Sequence, residues 1–334
     1  MWDRIEARLA LLELVERGRL RRRKAQEEAW TQLQALPSIR VSSRKDELLL
    51  AKERSGPILD LLDLVWPAWR REAAALGDAQ LPPTPNGWQE LQDRRRVAEL
   101  GKLPSRLNRR TATSAVGPDS KSTLTARRRT ALGETQITRD SAMRMRPPRG
   151  MRIIRGDMGF DAGTLVDILG EVTITERALH DGTRIEGEVE AVLTVENLGP
   201  FEDLELPEGW LAIHVPGWNT TTLELVLEHL HGTPLLHFGD LDPAGLRIVR
   251  HLRQRWPELA WFVPEFWEEY AEHRGLRMEW PEGLDVSDEP AMVQELRRRG
   301  LWLEQELIAL DPRLGVELER WLAKLNRQHA NQDE

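Results

Sequence analysis

The stretch Leu235-Leu236-His237-Phe238-Gly239-Asp240-Leu241-Asp242-Pro243-Ala244-Gly245 ends an apolar run in two carboxylates, just before a Pro-Ala-Gly turn. Alternate residues of a strand point to the same side, so Asp240 and Asp242 can aim at one point beyond the strand end. Two carboxylates held that close repel unless a cation or a proton sits between them. Oxygen-only ligands suit a hard divalent ion, Mg2+ or Mn2+, which keeps waters and binds phosphates. The competing reading is a plain acidic turn in which Asp242 N-caps the next helix. A third acid stands in a like position, because the run Ala191-Val192-Leu193-Thr194-Val195 ends in Glu196. If the two strands are neighbours, Glu196 faces Asp240 and Asp242 across the strand ends.

The elements that must position these acids read as α/β. Buried-strand signals at residues 191–195, 211–215, 235–238 and 260–263 alternate with amphipathic helices, one from Thr220 to His231 and one from Leu246 to Trp256. Asn219 or Thr220 is the expected cap of the first of these. The alternation predicts a mostly parallel sheet with helices on both faces, where ligands gather at the carboxyl ends of the strands.

The acid spacing resembles the Toprim nucleotidyl-transfer domain. The flanks, Val195-Glu196-Asn197 through Phe201 and Gly239-Asp240-Leu241-Asp242-Pro243-Ala244-Gly245, are similar to the branch shared by the topoisomerase VI A subunit and the JetD-like nucleases of the Wadjet plasmid-defence system. The segment Gly300-Leu301-Trp302-Leu303-Glu304-Gln305-Glu306-Leu307-Ile308 resembles the C-terminal Leu-Glu-Gln-Glu motif of the JetD side of that branch. The resemblance covers about residues 188–310. It implies that Glu196, Asp240 and Asp242 are metal ligands and that Glu304 and Glu306 are further catalytic candidates. Two residues apart on a helix are on nearly opposite faces, so one of these two is expected to reach the metal. The topoisomerase cuts DNA with a tyrosine on a helical domain preceding Toprim. The one tyrosine here, Tyr270, follows the metal motif. Water activated by metal is therefore the expected nucleophile, and hydrolysis the expected outcome.

Composition frames the rest. There is no cysteine, which removes disulfides, thiolate zinc sites and thiol nucleophiles. No apolar stretch approaches a membrane span and the first residues carry acids and arginines, so a soluble, cytoplasmic protein is expected. The net charge of −8 hides a division: residues 1–150 hold 30 Lys and Arg against 19 Asp and Glu, the remainder 17 against 36. That is the footprint of a polyanion-binding region joined to a cation-binding one, or of a solvated basic linker.

The expected organisation is a mainly α-helical N-terminal region over 1–100, a basic linker or arm over 101–150, a small connecting segment over 151–187 and a Toprim-type catalytic domain over 188–334. In the first region, helices are read from Trp2 to Val15 with a basic continuation through Lys24, from Ile58 to Val65, and from Trp88 to Leu100, with residues 81–87 as loop. A zinc site at His229, His231 and His237 is not favoured, since the first two fall on different sides of a helix. The tryptophans fit core packing better than base stacking. Gly217-Trp218-Asn219-Thr220 is a secondary candidate for a phosphate contact at the strand-end rim.

The principal expectation is a metal-dependent DNA endonuclease. The resemblance implies partners, a condensin-like complex of an SMC ATPase, a kleisin and a winged-helix subunit that presents plasmid DNA; a double-strand cut suggests a homodimer. A Toprim primase or ribonuclease remains an alternative, as does a non-catalytic DNA-binding or adaptor subunit.

Overall fold

A computed structural model of the chain describes residues 1–217 and 220–330. It divides into two compact units, Met1–Thr138 and Arg139–Glu334. No helix among the described residues is long and apolar enough to cross a membrane.

The first unit mixes helices with a small sheet. Its helices are Ile5–Arg17, Glu27–Gln34, Gly56–Val65, Trp69–Asp78, Pro85–Glu99, Arg109–Val116 and Ala126–Ala131. Strand Glu47–Leu50 lies between Arg19–Arg21 and Ile39–Val41, both antiparallel to it. The basic stretch after Arg17 therefore does not continue the helix. Gly18, at φ 68°, ends it in the left-handed region, and Leu20 then turns inward while Arg19 and Arg21 stay exposed, which is strand periodicity. The loop before the Pro85 helix is also shorter than expected. Pro85 takes the first helical position and the Thr84 hydroxyl accepts from the Gly87 amide at 3.2 Å.

The stretch 101–150 is folded, which corrects its reading as a linker. Asn108 and Thr125 cap the helices Arg109–Val116 and Ala126–Ala131, and Ala112, Val116 and Leu132 form a small core between them. Strand Arg106–Asn108 pairs in parallel with Gln136–Thr138. Residues from Arg139 onward belong to the second unit. What misleads in the sequence is the surface density of arginine around very few apolar positions.

The second unit is built on a six-stranded sheet: β1 (Ala142–Arg146), β2 (Val172–Thr175), β3 (Ala191–Val195), β4 (Trp210–His214), β5 (Leu235–Phe238) and β6 (Ala260–Trp261), in the order β6-β5-β3-β4-β1-β2. The pairs β3·β4, β3·β5 and β5·β6 are parallel, while β1 runs antiparallel to both β4 and β2. The sheet is thus mostly parallel, as the alternation predicts. Strands β1 and β2 come from segments read as arm and connection, so the sheet domain starts well before residue 188. Every residue of β3 is buried, so both faces of the sheet are covered. A separate antiparallel sheet, of Arg184–Glu186, Arg152–Arg155 and Met158–Asp161, lies in the same unit.

Four helices matter for the strand ends: α1 (Leu198–Asp203), α2 (Thr221–Leu227), α3 (Pro243–Arg253) and α4 (Gln305–Ala309). On α3, Leu246, Ile248, Val249 and Leu252 are buried, the stripe that fixes its rotation against the sheet.

A carboxylate cluster at the ends of two parallel strands

The register of β3 against β5 pairs Val195 with Phe238, so the two strands stop side by side. One more ladder bond, from the Glu196 amide to the Phe238 carbonyl at 3.0 Å, leaves the Glu196 side chain at the rim, beside the turn through Asp240. The neighbouring strand condition for a three-acid cluster is met.

Asp240 is held on both oxygens. Its Oδ1 accepts from the Gln305 backbone amide at 2.9 Å and its Oδ2 from Asn197 Nδ2 at 3.2 Å. The same Asn197 Nδ2 donates to Glu306 Oε1 at 3.0 Å. An amide thus lies between two carboxylates and supplies a partial positive charge that they share. With the Gln305 side-chain amide turned so that oxygen meets donors, its oxygen accepts from the Asn197 backbone at 2.8 Å and from Nδ2 at 3.2 Å, and its nitrogen donates to the Phe238 carbonyl at 3.2 Å. Gln305 is fully buried, so these bonds tie α4 to both strand ends.

What carries α4 there is a short antiparallel bridge, Leu241 to Leu303, with amide-to-carbonyl distances of 3.0 and 3.3 Å. Glu304 then forms the N-cap position of α4 and Glu306 lies in its first turn. The two acids part company: Glu306 meets Asn197, while Glu304 lines a separate cavity with Tyr270 and Arg274. Asp242 is occupied as a helix cap, its Oδ1 accepting from the Gly245 amide at 2.6 Å. Gly245 permits that tight turn, since a Cβ there would lie 2.2 Å from the Asp240 carbonyl oxygen. The structure therefore draws Glu196, Asp240 and Glu306 together, sets Asp242 beside them in a capping role and turns Glu304 away.

Electrostatics mark the cluster. Burial first, then the Asp240 and Asp242 carboxylates, push Glu196 up to about 7. Burial also pushes Asp240 up to about 6, with Glu306 and Asp242 adding to it and the bonds from Gln305 and Asn197 opposing it. No cationic side chain of the described residues is among the leading causes of either shift. Glu196 Oε2 is buried without a hydrogen-bond partner, and so is Nε2 of His237, a fully buried ring whose Nδ1 lies 2.9 Å from Thr194 Oγ1. Both orphaned atoms lie 2.7 Å from where a Cβ on Gly239 would stand, so that glycine makes their room. Burial pushes His237 down to about 3 and keeps it neutral.

As they stand, no three carboxylate or imidazole groups among the described residues enclose a single ion. The donor chemistry nonetheless fits a hard divalent cation: all-oxygen ligands, half-buried like charges and one orphaned carboxylate oxygen. Glu306 is exposed, so its carboxylate can close on the other two without repacking the core. Of the secondary candidate 217–220, Trp218 and Asn219 lie outside the described residues, and with Asn219 the alternative cap of α2. Asn197 and Gln305, the two residues that bind the acids to one another, are missed by the sequence reading. Their only signal there is adjacency to Glu196 and Glu306.

The fold and the site together define an α/β domain with a carboxylate cluster at the ends of its central parallel strands. Residues 158–314 match the family model of the Wadjet protein JetD, C-terminal region, and over that stretch the chain is JetD-like. All five candidate acids fall inside the matched residues. The match supports a role in a Wadjet defence system. No curated protein matches the chain.

Proposed function

We propose that the protein is a divalent-metal-dependent DNA endonuclease that hydrolyses phosphodiesters as the nuclease subunit of a Wadjet-like anti-plasmid complex, with Toprim-type chemistry. One observation carries the reading. Glu196 and Asp240 stand half-buried at neighbouring parallel strand ends, pushed up to about 7 and about 6 by burial and by neighbouring carboxylates. A site of that kind is stabilised by a divalent cation and is poorly explained as a structural turn.

Glu196, Asp240 and Glu306 are the residues that would hold Mg2+ or Mn2+, with Asp242 adjacent. When bound, such an ion supplies positive charge against the scissile phosphate and lowers the pKa of the attacking water. The chain's own residues do the rest. The Gln305 amide fixes Asp240 Oδ1. Asn197 keeps Asp240 Oδ2 and Glu306 Oε1 within one hydrogen-bonding span, so the acids act as a unit. The Asp242 cap holds α3, and with it the turn that carries Asp240, against the sheet. Glu306, at the exposed side, would close the ligand set over the other two carboxylates. Tyr270 donates its hydroxyl to Asp311 Oδ2 at 3.0 Å and has no part in this ligand set.

The partners in this reading are double-stranded plasmid DNA and a condensin-like SMC, kleisin and winged-helix complex, with a second copy of the chain for the second strand. The test is incubation of purified protein with circular and linear duplex DNA in Mn2+, Mg2+ or EDTA. Cleavage that needs the ion and falls at least about a hundredfold in Asp240→Asn and Glu196→Gln, the scale for loss of one preorganised charge, supports the reading. Cleavage that persists in those folded variants sinks it.

A further inference from the structure

Glu304 belongs to the motif around the cluster but is turned away from it, and the place it faces has its own character. A cavity of about 160 Å3 is lined by Tyr270, Arg274, Leu276, Leu303, Glu304 and Leu307. It adjoins the cluster through the backbone: Leu303 pairs with Leu241, and the amide of Gln305, next after Glu304, bonds Asp240. Its walls are unusual for a surface depression in a charged unit. Leu276 and Leu307 are 43% and 44% exposed, so apolar surface stands open to water, uncovered by the described residues. At the rim, Arg274 closes the last turn of the helix Trp267–Arg274, is exposed and pairs with no carboxylate among the described residues. Arg313 of the same unit is by contrast paired with both Asp311 and Glu269, which leaves Arg274 as a guanidinium open to a ligand at the cavity that Glu304 also lines.

Resting on the endonuclease reading, we infer that this cavity is the subsite for one nucleotide of the DNA strand adjoining the scissile phosphate, with its base between Tyr270 and the leucines, its phosphate on Arg274 and a base amino group on Glu304. The volume corresponds to about five waters, which suits one flat heterocycle and no more. Apolar and aromatic walls recognise the faces of any base. A carboxylate accepts from an exocyclic amine, and a guanidinium takes a phosphate in bidentate fashion. A base can enter only if it leaves the stack, which costs least where the duplex is already strained or opened. The subsite would thereby favour DNA distorted by the machinery that presents it.

The test uses the full chain and duplex DNA carrying 2-aminopurine beside the cleavage position, since this base brightens when it unstacks. In an Asp240→Asn background, binding should raise the fluorescence, and adding Arg274→Ala or Glu304→Gln should remove most of that rise. In the otherwise wild-type enzyme, Arg274→Ala should raise KM about tenfold, the scale of removing one charge-assisted hydrogen bond, with kcat within about twofold. Arg298→Ala, whose guanidinium is spent on Glu295 at 2.6 Å, should change neither. Fluorescence and KM that match the parent in both variants overturn the subsite while leaving the endonuclease reading intact. A collapse of kcat together with Mn2+ affinity in Glu304→Gln also overturns it, because Glu304 would then be a metal ligand. Wild-type protein that neither binds nor cuts DNA sinks the endonuclease reading and the subsite with it.

Discussion

At the scale of single residues, two half-buried acids have to tolerate one another. Glu196 is pushed from 4.5 up to about 7 and Asp240 from 3.8 up to about 6, so the folded protein binds protons that the unfolded chain releases. Stability therefore falls as pH rises between those values, the reverse of the usual carboxylate case. Ion-paired acids such as Asp311, held below 3.8 mainly by Arg313, have finished titrating by about pH 5 and do not mask the effect. Buried His237, pushed down to about 3, adds a slope of the opposite sign below its ordinary value of 6.5, and does so in wild type and variant alike, so the expected outcome is a Tm in EDTA whose wild-type value declines relative to that of Asp240→Asn from about pH 5 to 7. A wild-type Tm that climbs relative to the variant through that range would contradict the placement of these acids. Asn197 is the second test. It links Asp240 to Glu306 through one amide, so Asn197→Ala should weaken Mn2+ binding by about 10-fold to 100-fold, the range for losing an outer hydrogen-bond partner of a ligand. Unaltered Mn2+ affinity would assign Asn197 to fold alone.

At the scale of elements, the turn from β5 into α3 couples stability to the site. Asp242→Ala removes one cap and should cost about 0.5–2 kcal/mol. Gly245→Ala should cost more and also disturb Asp240, since the added Cβ would meet the Asp240 carbonyl at 2.2 Å and backbone cannot yield as a side chain tip does. Denaturant titration of the two variants, with Mn2+ affinity beside it, checks the order; a milder Gly245→Ala would refute it. The same elements explain what is legible in the sequence. Strands β3, β4 and β5 are buried continuously or nearly so, which leaves uninterrupted apolar runs whose ends can be read, and Glu196, Asp240 and Asp242 stand at those ends. Strand β1, Ala142-Met143-Arg144-Met145-Arg146, is hidden by its arginines. Arg146 is nonetheless drawn inward by its bonds to the Phe201 and Leu204 carbonyls, both at 2.8 Å. The placing of Glu306 depends on a bridge between Leu241 and Leu303, a pairing of residues far apart in sequence that no local periodicity encodes. The capping of α3 by Asp242 is visible as the competing reading, and the structure shows that role for its side chain.

At the scale of the whole molecule, charge is segregated: the basic excess lies in residues 1–150 and the acidic excess beyond them. Because residues 101–138 are folded within the first unit, excising them would damage that unit, and charge removal is the cleaner probe. Arg109, Arg110 and Arg129 are exposed. Their triple change to alanine should weaken DNA binding and flatten its dependence on salt, by about 0.9 in the log-log slope for each phosphate no longer neutralised. An unchanged slope would remove these residues from the DNA footprint. The acidic unit carries the central claim, that Glu196, Asp240 and Glu306 form a divalent-cation site. The most direct measurement is calorimetric titration of the metal-free protein with Mn2+ at about pH 6.5, between the raised values of the two acids, in two buffers of different ionisation enthalpy. The predicted result is saturable binding with proton release, because the ion displaces protons held by Glu196 and Asp240, and loss of both in Glu196→Gln and Asp240→Asn. Absence of binding, or binding that survives both substitutions undiminished, would contradict it.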